Sequence, residues 1–249
     1  MSGPATLGRG TGLSDARLRR TGSPRRLFAI LAAVALLTAA GWALLPERDR
    51  SLAGQRLTGA RGPSCLRLVI AVDVSGSMAG YAGARDSALA QLLGWAGDNL
   101  RPDDEITVVD FAERSAVRLP VTTVDALRPA DGAVAAAVRD SHTTYLGPVL
   151  DQVRAQPGGP CDRAVLLLSD GLLADLPATA DRGRAVLTAH DVHDLELLAP
   201  GEDVEVPAQW STTFPAAAPI RFDGHDADDT AVALGGAIAA ITRQTLEER

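Results

Sequence analysis

The chain has 249 residues, 46% of them hydrophobic and 22% charged, which suits a globular protein of one or two domains whose core stands without cross-links. Its formal net charge is −7 and the basic residues beyond the N-terminal stretch are scattered, which excludes a nucleic-acid footprint. All 24 basic residues are Arg; no physical requirement excludes Lys everywhere, so this reads as coding bias in a GC-rich, bacterial genome.

Residues 1–26 are rich in Gly, Ser, Pro and Arg without an apolar period, which predicts a disordered tail. Leu27 to Leu45 then carries no charge, and Phe28, Ile30, Leu31, Val34, Leu36 and Leu37 give it nearly the length and apolarity that cross a bilayer. Trp42 suits an interfacial anchor. Arg9, Arg17, Arg19, Arg20, Arg25 and Arg26 precede this run, opposed by Asp15, whereas Arg48 and Arg50 beyond it alternate with Glu47 and Asp49. That asymmetry predicts a cytoplasmic N-terminus and a single-pass signal anchor in the cell membrane, with the remainder extracytoplasmic. A cleaved signal peptide, with Gly41-Trp42-Ala43 at the cleavage site, is the competing reading, but its apolar core exceeds the usual length. Residues 46–64 read as a polar linker containing Gly54, Gly59, Gly62 and Pro63, and residues 65–249 as the folded domain.

Leu66 to Val72 is an apolar run of strand length that reads as a buried parallel strand, with Asp73 emerging at its carboxyl end and Ser75 and Ser77 just beyond. Ala88, Leu89, Leu92, Leu93, Ala96 and Leu100 recur at helical spacing, predicting a helix that begins just past Ser77 and whose dipole assists anionic groups there. Ile106 to Phe111 and Ala116 to Val121 read as strands joined by Glu113-Arg114-Ser115, the second an antiparallel edge. Short helices are expected over 133–138 and 146–154, the latter following Thr144. Arg163 to Leu168 is another buried strand, ending in Ser169-Asp170-Gly171, where the Gly permits a tight turn. A helix over 179–190 and a strand over 192–198 follow. From Pro200 to Asp229 the pattern is broken by Pro207, Pro215 and Pro219, with Pro219 to Phe222 the best strand candidate; Trp210 and Phe214 either pack this segment down or face a partner. Leu234, Ile238 and Ile241 mark a closing helix. Strands alternating with helices predict an α/β fold, a doubly wound and mostly parallel sheet of about six strands with helices on both faces.

Two carboxylates and several hydroxyls at the carboxyl ends of strands are hard oxygen ligands suited to Mg²⁺. The stretches Asp73-Val74-Ser75-Gly76-Ser77, Thr144-Tyr145-Leu146-Gly147 and Asp170-Gly171 resemble the von Willebrand factor A (VWA) family, whose metal-ion-dependent adhesion site (MIDAS) is written D-x-S-x-S, then Thr, then D-G. The resemblance covers roughly residues 64–247 and includes Leu100, Pro102, Asp104, Val108 and Phe111. It implies that Ser75, Ser77 and Thr144 coordinate the metal through hydroxyls, and that Asp73 and Asp170 bind it directly or through water. Thr144 is preferred over Thr143 because the family ligand lies three residues before a Gly. Mg²⁺ is the implied metal, with Mn²⁺ and Ca²⁺ as alternatives. In the sheet of this family the strands that begin near Cys65 and Cys161 are neighbours, so the resemblance implies a disulfide between them if the compartment is oxidising.

Enzymatic readings are weak. There is no G-x-S-x-G elbow, no placed His for Ser75 or Ser169, no P-loop, and no second carboxylate two residues after Asp73, where Ser75 stands. The expected function is therefore not catalytic: a membrane-tethered module that binds protein through Mg²⁺, a partner's Asp or Glu carboxylate completing the coordination. The alternatives are an accessory subunit of a machine built around an AAA+ ATPase, which suits a cytoplasmic domain, and a metal-dependent hydrolase. His190 and His193 read as surface residues, His142 as a rim residue, and Tyr81 and Tyr145 as shaping the rim. Asp223, Asp226, Asp228 and Asp229 read as acids favoured before a helix, lacking the spacing of a calcium loop.

Overall fold

The computed structural model describes residues 51–128, 143–201 and 203–249. The expected tail, the membrane run 27–45, the helix over 133–138 and His142 lie outside the described residues. Among those described, no helix is long and apolar enough to cross a membrane.

The elements in chain order are β1 (Gln55–Thr58), β2 (Leu66–Asp73), α1 (Ala82–Asn99), β3 (Glu105–Phe111), β4 (Ser115–Thr123), α2 (Gly147–Ala155), β5 (Asp162–Leu168), α3 (Ala180–Ala189), β6 (Asp194–Pro200), α4 (Ala208–Thr213), β7 (Ile220–Phe222), α5 (Ala227–Thr242) and β8 (Thr245–Glu248). Six strands form one sheet in the order β4-β3-β2-β5-β6-β7, parallel except for the antiparallel edge strand β4. β2 is central and buried along its whole length, which is why its sequence shows a continuous apolar run instead of alternation.

Strand periodicity divides that run between two layers. Leu68, Ile70 and Val72 face α1 and α5, where Leu89, Leu92, Leu234 and Ile238 complete one core. Val69 and Ala71 face the other side, with Val165, Leu167, Val149, Leu150 and Val153. Cys65 and Cys161 are disulfide-bonded, with α-carbons 4.5 Å apart, at the amino ends of β2 and β5.

Three expectations change. The linker assigned to 46–64 is part of the fold from Leu52 onward: Leu52 is fully buried in the α1–α5 core, and β1 pairs antiparallel with β8. Neither strand announces itself, because QRLT and TLEE are short and largely polar. The helix expected just past Ser77 is preceded by a 3-10 turn over Gly76–Tyr81, so the amino end of α1 stands a turn away from the Ser residues. Between β6 and β7 a short helix, α4, drops Trp210 and Phe214 into the core, where the Trp210 indole donates to the Ala217 carbonyl at 2.7 Å. These aromatics pack the segment down and are not a partner surface.

Candidate metal centre

Asp73 ends β2 on the same side as Val69 and Ala71. The β2–β5 register pairs Val72 with Leu168, so the next residues, Asp73 and Ser169, leave the sheet side by side. The Ser169 hydroxyl donates to one Asp73 oxygen at 2.6 Å, and the Ser75 backbone N–H donates to the other at 2.9 Å. The Ser169 oxygen in turn accepts the Gly171 N–H at 3.0 Å. Asp73 and Ser169 are fully buried, and Ser75 nearly so. Beyond them the Ser75 and Ser77 hydroxyl oxygens lie 3.1 Å apart, with Ser77 exposed at the surface.

Asp170 follows at the turn, where one carboxylate oxygen accepts the Leu172 N–H at 2.9 Å. Gly171 adopts φ +75°, a left-handed conformation that favours Gly, and a Cβ there would also press on Val206 at 3.1 Å. The tight turn expected from sequence thus has two causes.

Thr144 is brought in by an isolated parallel bridge to Leu173, and its carbonyl accepts the Ala174 N–H. It is buried and shares one surface hollow with Ser75 and Ser77. Asp175, which sequence reasoning did not single out, accepts the Leu146 and Gly147 N–H groups at 2.7 Å each and so caps the start of α2. A Cβ at Gly147 would sit 3.0 Å from the Asp175 carboxylate. The T-x-x-G spacing therefore leaves room for a capping acid that fixes the Thr144 loop. Ser169 stands where the sequence placed it, at the end of the apolar run of β5, but its role as a donor to Asp73 was not anticipated; Asp175 carries no comparable signal.

Burial pushes the Asp73 carboxyl above its ordinary pKa, the hydrogen bonds from Ser169 and Ser75 oppose this, and the charge of Asp170 adds to the rise. Among the described residues no Arg contacts its carboxylate: the Arg85 guanidinium donates to the Asp73 backbone carbonyl at 3.1 Å. Two neighbouring acids, one fully buried and held only by neutral donors, form a place where a cation is missing from the protein's own side chains. Asp73, Asp170 and the hydroxyls of Ser75, Ser77 and Thr144 fit a hard divalent ion. No three His, Cys, Asp or Glu side chains cluster among the described residues, so the site rests on hydroxyl oxygens as well as acids.

Two open hollows flank this set. One of about 520 Å³ is lined by Ser77, Tyr81, Asp170, Leu172, Val204, Glu205 and Pro207. The other, of about 590 Å³, contains Ser75, Ser77, Thr144, Leu172, Leu176 and Pro207. Tyr81 thus lines the rim, its ring 4.7 Å from that of His225. His193 is exposed near the amino end of β6, and the Asp226 side chain caps α5, as the plain readings anticipate.

Solved structures share this architecture. Proximal thread matrix protein 1 from the mussel byssus superimposes with a TM-score of 0.53 at 14% identity over 74% of this chain and 50% of that one. A von Willebrand factor type A structure from Catenulispora acidiphila gives 0.50 at 22% identity over 70% and 42%. Its fold is of the von Willebrand factor A type. The open form of the pilus adhesin SpaC from Lactobacillus rhamnosus GG gives 0.52 at 13% identity over 75% and 31%. The mussel protein is also known with a zinc-occupied MIDAS motif, at a TM-score of 0.52 and 15% identity over 72% and 48%. The chain spans half or less of the length of each of these solved chains. No protein-family model and no curated protein matches it.

Proposed function

We propose that this VWA-type domain is a divalent-cation-dependent protein-binding module in which Asp73, Ser75, Ser77, Thr144 and Asp170 hold Mg²⁺ and a partner's Asp or Glu carboxylate completes its coordination. One observation carries the reading: Asp73 is a fully buried carboxylate beside Asp170, held by Ser169 and Ser75 with no cationic side chain on it among the described residues. Three neutral hydroxyls and two acids leave a bound divalent ion electron-poor toward an incoming anion. The zinc-occupied MIDAS of the mussel protein supports a divalent ion at the corresponding place. Binding is favoured over catalysis because the Ser169 hydroxyl is fully buried and committed to Asp73, and among the described residues no His hydrogen bonds to Ser75, Ser77 or Ser169.

The test is Mg²⁺ titration of the full chain against thermal unfolding, beside partner capture with and without chelator. Mg²⁺ raises the melting temperature of the wild type and not of Asp73→Ala, and chelator abolishes capture. Equal melting with and without Mg²⁺ sinks the metal, and capture that survives both chelator and Asp73→Ala sinks the mechanism.

The uncharged run 27–45 and its Arg-rich leading flank support a membrane tether with the domain outside. Protease added to intact spheroplasts should then digest residues 65–249; full protection, reversed by lysis, places the domain inside.

A further inference from the structure

The two hollows meet at one ridge. Ser77, Leu172 and Pro207 line both, so a ligand that reaches the metal from above straddles Leu172. Leu172 is 55% exposed, and with Val117 it is one of two large hydrophobic side chains displayed among the described residues. Its position follows from the turn: the Leu172 N–H is held by Asp170, and a Cβ at its chain neighbour Gly171 would meet Val206 and Pro207. The segment between β6 and β7, irregular in sequence, thus supplies Val204, Glu205 and Pro207 as one wall of the first hollow.

Charge is distributed unevenly around this ridge. Among the described residues, and apart from the candidate metal ligand Asp170, Glu205 is the one charged side chain lining the first hollow, and none lines the second. A ligand's single acid would be attracted by a bound metal, but a further acid over the first hollow would meet Glu205, while Arg221 on β7 is committed to the Gly201 and Val204 carbonyls and does not line the hollow. Aliphatic neighbours of the acid gain by covering Leu172, Leu176 and Val204.

We propose that the site selects a peptide segment of a partner protein carrying one Asp or Glu flanked by aliphatic side chains, and discriminates against acidic tracts, with Leu172 as the specificity-determining residue. This rests on the metal-mediated carboxylate reading above and adds the sequence context of the carboxylate.

The experiment selects short random linear peptides, displayed on phage, against the immobilised full chain in Mg²⁺ and in chelator. Peptides retained only in Mg²⁺ should carry one acid beside Leu, Ile, Val or Phe. Their affinity should fall roughly tenfold or more in Leu172→Asp, the effect of losing one buried aliphatic contact. Val204→Asp, a second variant on the first hollow, should also weaken them. Val117→Asp, the same change at the other exposed aliphatic, which lines neither hollow, should not. Melting curves with Mg²⁺ for each variant report folding and metal loading separately. Mg²⁺-dependent peptides with acidic runs or random neighbours overturn the selectivity and leave the metal reading standing, as does undiminished affinity in both hollow variants. No Mg²⁺-dependent peptide, together with no effect of Mg²⁺ on melting, overturns both.

Discussion

Asp73 and Asp110 are both fully buried acids at the carboxyl ends of adjacent parallel strands, yet the protein treats them in opposite ways. Asp110 points toward α1 and receives the Arg118 guanidinium from β4, whose Nε lies 2.9 and 3.1 Å from its two oxygens, while the same Arg reaches Asp86 on α1 at 2.9 Å. Asp104, at the opposite end of the sheet, is likewise fully buried and is bound by Arg61 with backbone N–H groups of Leu66 and Arg101. Asp73 faces the other layer, and among the described residues its carboxylate is held by neutral donors alone. A buried carboxylate with its own Arg is structural; one left beside a second acid at a surface edge is where the proposed function would place a cation from solution. Burial does not separate the two kinds, but the donors do.

The comparison breaks most severely if the internal cation is removed. The Arg118 side chain is fully buried, so Arg118→Ala leaves Asp110 charged without its Arg and Asp86 without its strongest partner. The expected loss is about 3–5 kcal/mol of folding free energy, read as a lower denaturant midpoint. A loss below roughly 1 kcal/mol would mean that water reaches Asp110 as readily as it reaches a surface ion pair.

How much of this was legible follows from the same contrast. Strands β2, β3, β5 and β6 were readable because two-sided burial writes continuous apolar runs, and the positions of the candidate ligands Asp73, Ser75, Ser77 and Asp170 because each lies at or just beyond the end of such a run. Thr144 needed the family spacing, since its loop enters the site through a single bridge and not through a strand. What was missed lacks a period. β1 and β8 are four-residue polar strands that stabilise each other, and α4 is six residues long in a Pro-broken segment. The pairings that distinguish Asp73 from Asp110 depend on register across the sheet, which no local pattern encodes. Cys65 and Cys161 were pairable in advance because the resemblance made their strands neighbours.

A smaller effect sharpens the comparison from the Asp73 side. Asp73→Asn removes a desolvated charge while leaving an amide whose oxygen can accept the Ser75 N–H and whose NH2 can donate to the Ser169 oxygen. Without metal, the variant should be at least as stable as the wild type near neutral pH. With Mg²⁺ at a hundred times its dissociation constant, the wild type should gain about 2.7 kcal/mol and the variant nothing. A metal-free variant less stable than wild type by more than roughly 1 kcal/mol would show that Asp73 is structural, as Asp110 is.

The smallest expected effect lies in the pH dependence, where the two kinds of acid carry opposite signs. Partial burial pushes the Asp86 carboxyl up, but the Arg118 hydrogen bond and the charges of Arg85 and Arg118 outweigh it and hold the pKa below 3.8. A carboxyl whose folded pKa is depressed binds fewer protons in the folded than in the unfolded state between the two values. Its contribution is therefore complete above 3.8 and is lost as pH falls through the folded value. Asp73, raised above 3.8 by burial, binds more protons folded than unfolded, so metal-free stability falls as pH rises through its window. Urea midpoints of metal-free protein across the acid range should thus show a shallower acid loss in Asp86→Asn and a diminished decline on the higher-pH side in Asp73→Asn. Parallel profiles for the two variants would mean that Asp73 has a cationic partner after all, and the contrast between the two buried acids would collapse.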